Sequence, residues 1–186
     1  MNNPWKILSS QMIYQNPWIE LTEHQVINPN GGHGIYGVVH FKNIAIGIIP
    51  LDEHFNTWIV GQYRFPLNEY SWEIPEGGGK LDIPILESAK RELLEECGII
   101  ANQWDCILKM HLSNSVSDEV GYVFVARDLS FTHSSPEETE QLEVQKLPFQ
   151  SLYQKVMNGE ITDSLSVAGV LKLRCLFQEG GFLNNK

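Results

Sequence analysis

The sequence predicts one α/β domain, and three observations carry that prediction. Apolar or alternating runs recur at residues 18–21, 35–41, 44–50, 57–62 and 72–75, the signature of strands. Helical periodicity replaces that pattern at 84–97, 149–157 and 163–177. A chain of 186 residues with 42% hydrophobic content is sized for one buried core. No repeat, low-complexity tract or long linker divides it.

Residues 4–42 read as strands, with a turn-rich hairpin signal over 28–34. The runs 44–50 and 57–62 flank a polar turn at 52–56. The run 72–75 leads into Gly77-Gly78-Gly79, read as a glycine bend. A helix follows from about Pro84, which a first turn tolerates, to Cys97, with Gly98 as its stop. Leu86, Ala89 and Leu93 mark the face that packs on a sheet. Strands continue at 104–111 and 120–126. A polar loop covers 130–141 and a last strand 142–147. Two amphipathic helices close the chain, the second capped by Thr162 or Asp163.

The chemistry concentrates in Arg91-Glu92-Leu93-Leu94-Glu95-Glu96. On a helix, Glu92, Glu95 and Glu96 stand at i, i+3 and i+4 and share one face. Like charges there repel, so a helix that needed only solubility would interleave Lys. Carboxylates gathered on one face suit a hard divalent cation with oxygen ligands, Mg²⁺ first and Mn²⁺ as an alternative. Arg91 is spaced to fork onto Glu95 and orient the acids; the plainer reading is a surface ion pair. Strand, glycine bend and acidic helix together make a pocket for a metal and a phosphate-bearing substrate.

Gly77, Arg91, Glu92, Leu93, Glu95, Glu96, Gly98 and Ile99 fall in register with the Nudix box, and the chain resembles that family from about Phe41 to Phe177. One position departs: Ile83 stands where the pattern has its first Glu, with Asp82 adjacent. The fragments Gln62-Tyr63-Arg64 and Trp72-Glu73-Ile74-Pro75-Glu76-Gly77 resemble the nucleoside-diphosphate-sugar and ADP-ribose pyrophosphatase branch. The resemblance implies an α/β/α sandwich, with a mixed sheet between helices, over residues 43–186. It implies an N-terminal β extension over 1–42 that serves dimerisation, and hence a homodimer.

For the site, the resemblance implies Glu92, Glu95, Glu96 and the backbone carbonyl of Glu76 as metal ligands. It implies a catalytic acid from the segment before the last strand, with Glu138 and Glu140 at the matching positions, assisted by Glu95 and Arg91. Candidates for substrate contact are Arg64, Gly77, Gly78, Glu119 and Trp72. Arg64 is suited to a phosphate, Glu119 to a sugar hydroxyl and Trp72 to a base. Trp18, Tyr63 and Phe65 are further stacking candidates, although most aromatics fill cores. The ADP-ribose hydrolases often carry a proline about sixteen residues beyond the box; here 111–119 contains none.

The implied activity is Mg²⁺-dependent hydrolysis of a nucleoside diphosphate linked to another moiety, ADP-ribose or an NDP-sugar, to a nucleoside monophosphate and a sugar phosphate. The alternative, motivated by Ile83, is a Nudix module that binds nucleotide sugars without hydrolysing them. A net charge of −10 argues against a nucleic-acid or anionic-membrane surface. Three dispersed cysteines and the absence of a signal-peptide pattern suit a reducing cytoplasm. The six histidines lack ligand spacing.

Overall fold

The computed structural model describes residues 2–134 and 141–180. Its strands are β1 (Lys6–Gln15), β2 (Ile19–Ile27), β3 (His33–Phe41), β4 (Asn43–Pro50), β5 (Asn56–Arg64), β6 (Glu69–Glu73), β7 (Glu76–Lys80), β8 (Ile99–His111), β9 (Val120–Phe131) and β10 (Glu143–Pro148). Its helices are α1 (Ile85–Cys97), α2 (Phe149–Met157) and α3 (Ser164–Gln178). A mixed sheet runs β7-β4-β9-β8, with β4 and β9 parallel. An antiparallel sheet runs β10-β5-β6, and a separate meander β1-β2-β3.

Side-chain alternation splits the core into two clusters and so makes the sandwich. From β4 and β9, Ile46, Ile48, Phe124 and Ala126 pack with Ala89 and Leu93 of α1. Ile49, Val123 and Val125 pack instead with Leu152 of α2 and Leu165, Val170 and Leu173 of α3. Leu86 lies against the first cluster, on the face its spacing predicted. Leu93 is fully buried; truncating such a leucine to alanine costs about 2–5 kcal/mol.

The helix ends follow local chemistry. Gly98 closes α1 at φ 63°, its N–H donating to the carbonyls of Leu93 and Leu94. A Cβ there would stand 2.4 Å from the Thr132 carbonyl oxygen. Asp163 caps α3 by accepting from the Ser166 N–H at 2.8 Å. Pro84 sits at the cap position of α1, one residue outside it.

Three expectations need correction. Gly77, Gly78 and Gly79 do not form a bend: they lie inside strand β7, paired with β4 from Ile44↔Gly79 to Ile46↔Gly77. Their lack of side chains serves close approach, since a Cβ on Gly79 would meet Ile46 at 2.7 Å and Ser88 at 3.2 Å. Strand β8 begins at Ile99, five residues before the predicted start. Its exposed polar residues Asn102 and Gln103 mask the alternation, while Ile99 and Ala101 are buried. Strand β9 runs on to Phe131, through residues read as loop, because β8 is long enough to pair with it.

The meander is tied to the β8–β9 connection. The Val39 N–H donates to the Val116 carbonyl at 2.8 Å, and the Asp118 N–H donates to that of Val39 at 3.2 Å. The Asp118 carboxylate accepts from the Phe41 N–H at 2.9 Å and meets His40 Nδ1 at 2.8 Å. Every residue of β1 is exposed, including Ile7, Leu8, Met12, Ile13 and Tyr14.

Candidate active site

Register decides which peptide groups of β7 face the helix. Ile48 N–H donates to the Pro75 carbonyl at 2.8 Å, so in the β4–β7 ladder Glu76↔Gly47 and Gly78↔Ala45 fall at the non-bonded positions. Their peptide groups therefore turn outward, toward α1. The Glu76 N–H donates to Glu96 Oε2 at 2.9 Å. The Gly78 carbonyl accepts from Arg91 Nη2 at 3.1 Å.

Glu92 and Glu96 are both buried on α1. The Glu92 carboxylate lies over Gly77, where an added Cβ would stand 2.3 Å from its Cδ. Arg91 reaches both neighbouring acids, donating to Glu92 Oε1 at 2.5 Å and Glu95 Oε2 at 2.6 Å. Burial disfavours its charge, but Glu92 and Glu95 more than offset this and raise its pKa. The i, i+4 pair with Glu95 was legible in the spacing; the bond to the Gly78 carbonyl was not.

A second charged group adjoins the start of β7. Arg64, at the end of β5, pairs with Glu73 through Nε and Nη2 and reaches Glu76 Oε1 at 3.4 Å. The bond to Glu73 raises the Arg64 pKa, against a smaller opposing effect of burial. Burial also opposes ionisation of Glu73, but bonds from Arg64, Glu76 and Ser71 hold its pKa below the usual range. Glu76 is pushed well above that range, first by burial and then by the charges of Asp163 and Glu73. A recess of about 200 Å³ opens here, lined by Arg64, Ser71, Glu73, Glu76, Thr162 and Asp163 among others. Ser166 of α3 accepts the buried Ile74 N–H at 2.9 Å and so seats the strand that carries these acids.

Arg64, Glu76, Gly77, Gly78, Arg91, Glu92, Glu95 and Glu96 are therefore brought around one strand and helix. Trp72 is turned away from them: it packs half-buried on the α2–α3 cluster, edge to face with Tyr70. Glu119 lies at the entry to β9, beside Asp118, and its pKa is raised by burial and by that neighbour. Strand β4 separates β9 from β7. Glu138 and Glu140 lie outside the described residues. The reading of the sequence missed Glu73 and Ser166, and gave Asp163 only as a helix cap, not as part of this recess. Strand parity held the signal for Glu73, because Val60↔Glu73 and Arg64↔Glu69 pairing puts Arg64 and Glu73 on one face.

Among the described residues, no three acidic, imidazole or thiol side chains are gathered as a ligand set. The helix acids are instead engaged by protein donors, Glu92 and Glu95 by Arg91 and Glu96 by the Glu76 peptide. The donor chemistry nevertheless fits a hard cation. Two buried carboxylates and an outward-facing peptide of β7 supply oxygen alone, and the space above Gly77 is kept clear of any Cβ.

Comparison with known proteins identifies the family. The NUDIX domain model matches residues 41–164. The model of the nucleoside diphosphate sugar hydrolase N-terminal domain matches residues 5–39. An ADP-ribose pyrophosphatase of Mycobacterium tuberculosis is 30% identical over 179 residues, spanning 92% of this chain and 84% of its own. An ADP-ribose pyrophosphatase of Bacillus subtilis is 26% identical over 171 residues, 91% of this chain and 92% of its own. The methanol dehydrogenase activator of Bacillus methanolicus matches with the same identity and coverage. A crystal structure of an ADP compounds hydrolase shares the fold, with a TM-score of 0.84 at 20% identity over 95% of this chain and 96% of that one. With its box in register and two thirds of its length matched, the chain belongs to the NUDIX family, as a Nudix pyrophosphohydrolase.

Proposed function

We propose that the chain hydrolyses the P–O–P bond of a nucleoside diphosphate joined to a sugar, ADP-ribose or an NDP-sugar, with Mg²⁺ or Mn²⁺ as cofactor. The products are a nucleoside monophosphate and a sugar phosphate. The carrying observation is the seating of Glu92 and Glu96 against β7, one over Gly77 and one on the Glu76 N–H. The names of the two pyrophosphatase relatives support ADP-ribose, and the N-terminal match supports the wider nucleotide-sugar class.

In this reading Glu92, Glu95, Glu96 and the Glu76 carbonyl hold the cation, which neutralises diphosphate charge and activates water when bound. Arg91 keeps Glu92 and Glu95 aligned over the strand. Arg64 presents its guanidinium at the recess beside Glu76, where a phosphate or sugar oxygen can accept from it. Glu138 or Glu140 takes the proton from the attacking water.

Residues 1–42 form a dimerising extension to the catalytic unit 43–186, and the exposed apolar side chains of β1 support a homodimer. The protein acts in the cytoplasm on a small molecule. Among the described residues no helix is long and apolar enough to cross a membrane. Light scattering that returned a monomer at micromolar concentration would remove the dimer from this account.

The test of the activity is Glu96→Gln, which keeps an oxygen for the Glu76 N–H but removes the charge. We expect kcat/KM on ADP-ribose or an NDP-sugar to fall by about 10²–10³-fold with the fold intact. Full Mg²⁺-dependent turnover by this variant overturns the reading.

A further inference from the structure

The β5–β6 hairpin borders a second recess, into which project side chains of the sheet face opposite Arg64 and Glu73. Tyr63 and Tyr70 are cross-strand partners and project together from that face. Both rings are fixed by their hydroxyls. Tyr63 donates to Asn68 Oδ1 at 2.8 Å, and Asn68 turns the hairpin with φ 56°. Tyr70 donates to Glu143 Oε2 of β10 at 3.2 Å. To reach it, the Tyr70 ring crosses Gly61, where a Cβ would stand 2.4 Å from the hydroxyl oxygen and 2.9 Å from ring carbons. Trp72 braces Tyr70 from behind, with ring centroids 5.7 Å apart.

Although pinned, the rings are not covered: Tyr63 is 58% exposed and Tyr70 48%. They border a recess of about 470 Å³ with Gln62, Gln141, Leu142 and Glu143. That volume suits a nucleoside-sized ligand. Rings already fixed lose little side-chain freedom when something stacks on them. Glu143 offers carboxylate oxygen to N–H donors and repels phosphate, so an anionic tail must point outward. Gln141 adds an amide that both donates and accepts. A planar ring with N–H groups on its edge meets all of these demands.

We propose that this recess binds the purine base of a nucleotide, stacked on the tyrosine pair with its N–H edge toward Glu143. The base comes either from the substrate or from a separate nucleotide, and the experiment separates the two. AMP and GMP are titrated calorimetrically into the full chain in EDTA, so that the result does not depend on metal-dependent hydrolysis. Saturable binding is expected. Tyr63→Ala should weaken it about tenfold, and Glu143→Gln should weaken it too. Tyr63→Phe, which keeps the ring, should retain it, and inorganic phosphate should not compete.

A raised KM at unchanged kcat for Tyr63→Ala assigns the site to the substrate's own base. An unchanged KM together with lost AMP or GMP binding assigns it to a second nucleotide. Absence of saturable binding at millimolar AMP and GMP, or binding that Tyr63→Ala and Glu143→Gln leave untouched, overturns the proposal.

Discussion

The Glu92 carboxylate occupies the space that a side chain on Gly77 would need, with an added Cβ 2.3 Å from its Cδ. Helix α1 and strand β7 can therefore meet at this distance only through glycine. Gly77→Ala is expected to displace Glu92, lowering kcat/KM by about 10²-fold. Calorimetric Mg²⁺ titration should show weaker binding in parallel. Unchanged activity would mean that Glu92 does not act from this position.

Arg64 and Glu73 form an ion pair in which the Glu73 side chain is only 3% exposed. Removing one partner strands a buried charge. Arg64→Ala is expected to cost about 3–5 kcal/mol in urea unfolding. Arg64→Met with Glu73→Leu should recover most of that stability while leaving the enzyme inactive. A double variant no more stable than the single one would assign the loss to packing of the arginine stem.

Asp52 sets the turn between β4 and β5. It accepts from the N–H groups of His54 and Asn56 and pairs with Lys146 Nζ at 2.9 Å. Burial alone would raise its pKa, but bonds to Lys146, Asn56 and His54 bring it from 3.8 down to about 2. A carboxyl depressed on folding stabilises above its unfolded pKa. That contribution is present above about pH 4 and is lost as pH falls through about 2. Asp52→Asn should cost about 1–2 kcal/mol near neutrality. Its stability curve should converge with that of the parent only below about pH 2, and a gap of constant size across the acid range would exclude this origin.

Ser166 is fully buried and accepts the Ile74 N–H. Ser166→Ala leaves that amide without its acceptor, at a cost of about 1–3 kcal/mol. Because Ile74 lies between Glu73 and Glu76, turnover should fall along with stability. Hydrogen exchange at Ile74 reads the lost bond directly, and exchange as slow as in the parent would mean that another acceptor has replaced it.

Features that depend on one segment were legible in the sequence. The α1 box, the Gly98 stop, the Asp163 cap and the extent of α2 follow from spacing and capping chemistry. Features that depend on two distant segments were not. The glycines after Glu76 read as a bend because glycine permits turns; their use here is to let a helix lie close, which requires knowing that α1 folds back over β7. Glu73 looked like one acid in a strand until the hairpin register put it beside Arg64. The polar outward residues of β8 hid five residues of strand whose partner, β9, is continuous only in three dimensions. Arg91 paired with Glu95 by spacing alone, whereas its bond to the Gly78 carbonyl needed the ladder phase of β7.

The bond from Ile74 to Ser166 joins residues 92 positions apart. During translation at roughly 5–20 residues per second, the nascent strand waits about 5–18 s for the serine that seats it. Seating of the strand that carries Glu73 and Glu76 thus waits for the synthesis of α3. A chain cut short before α3 would contain the whole Nudix box but not the serine that seats Ile74.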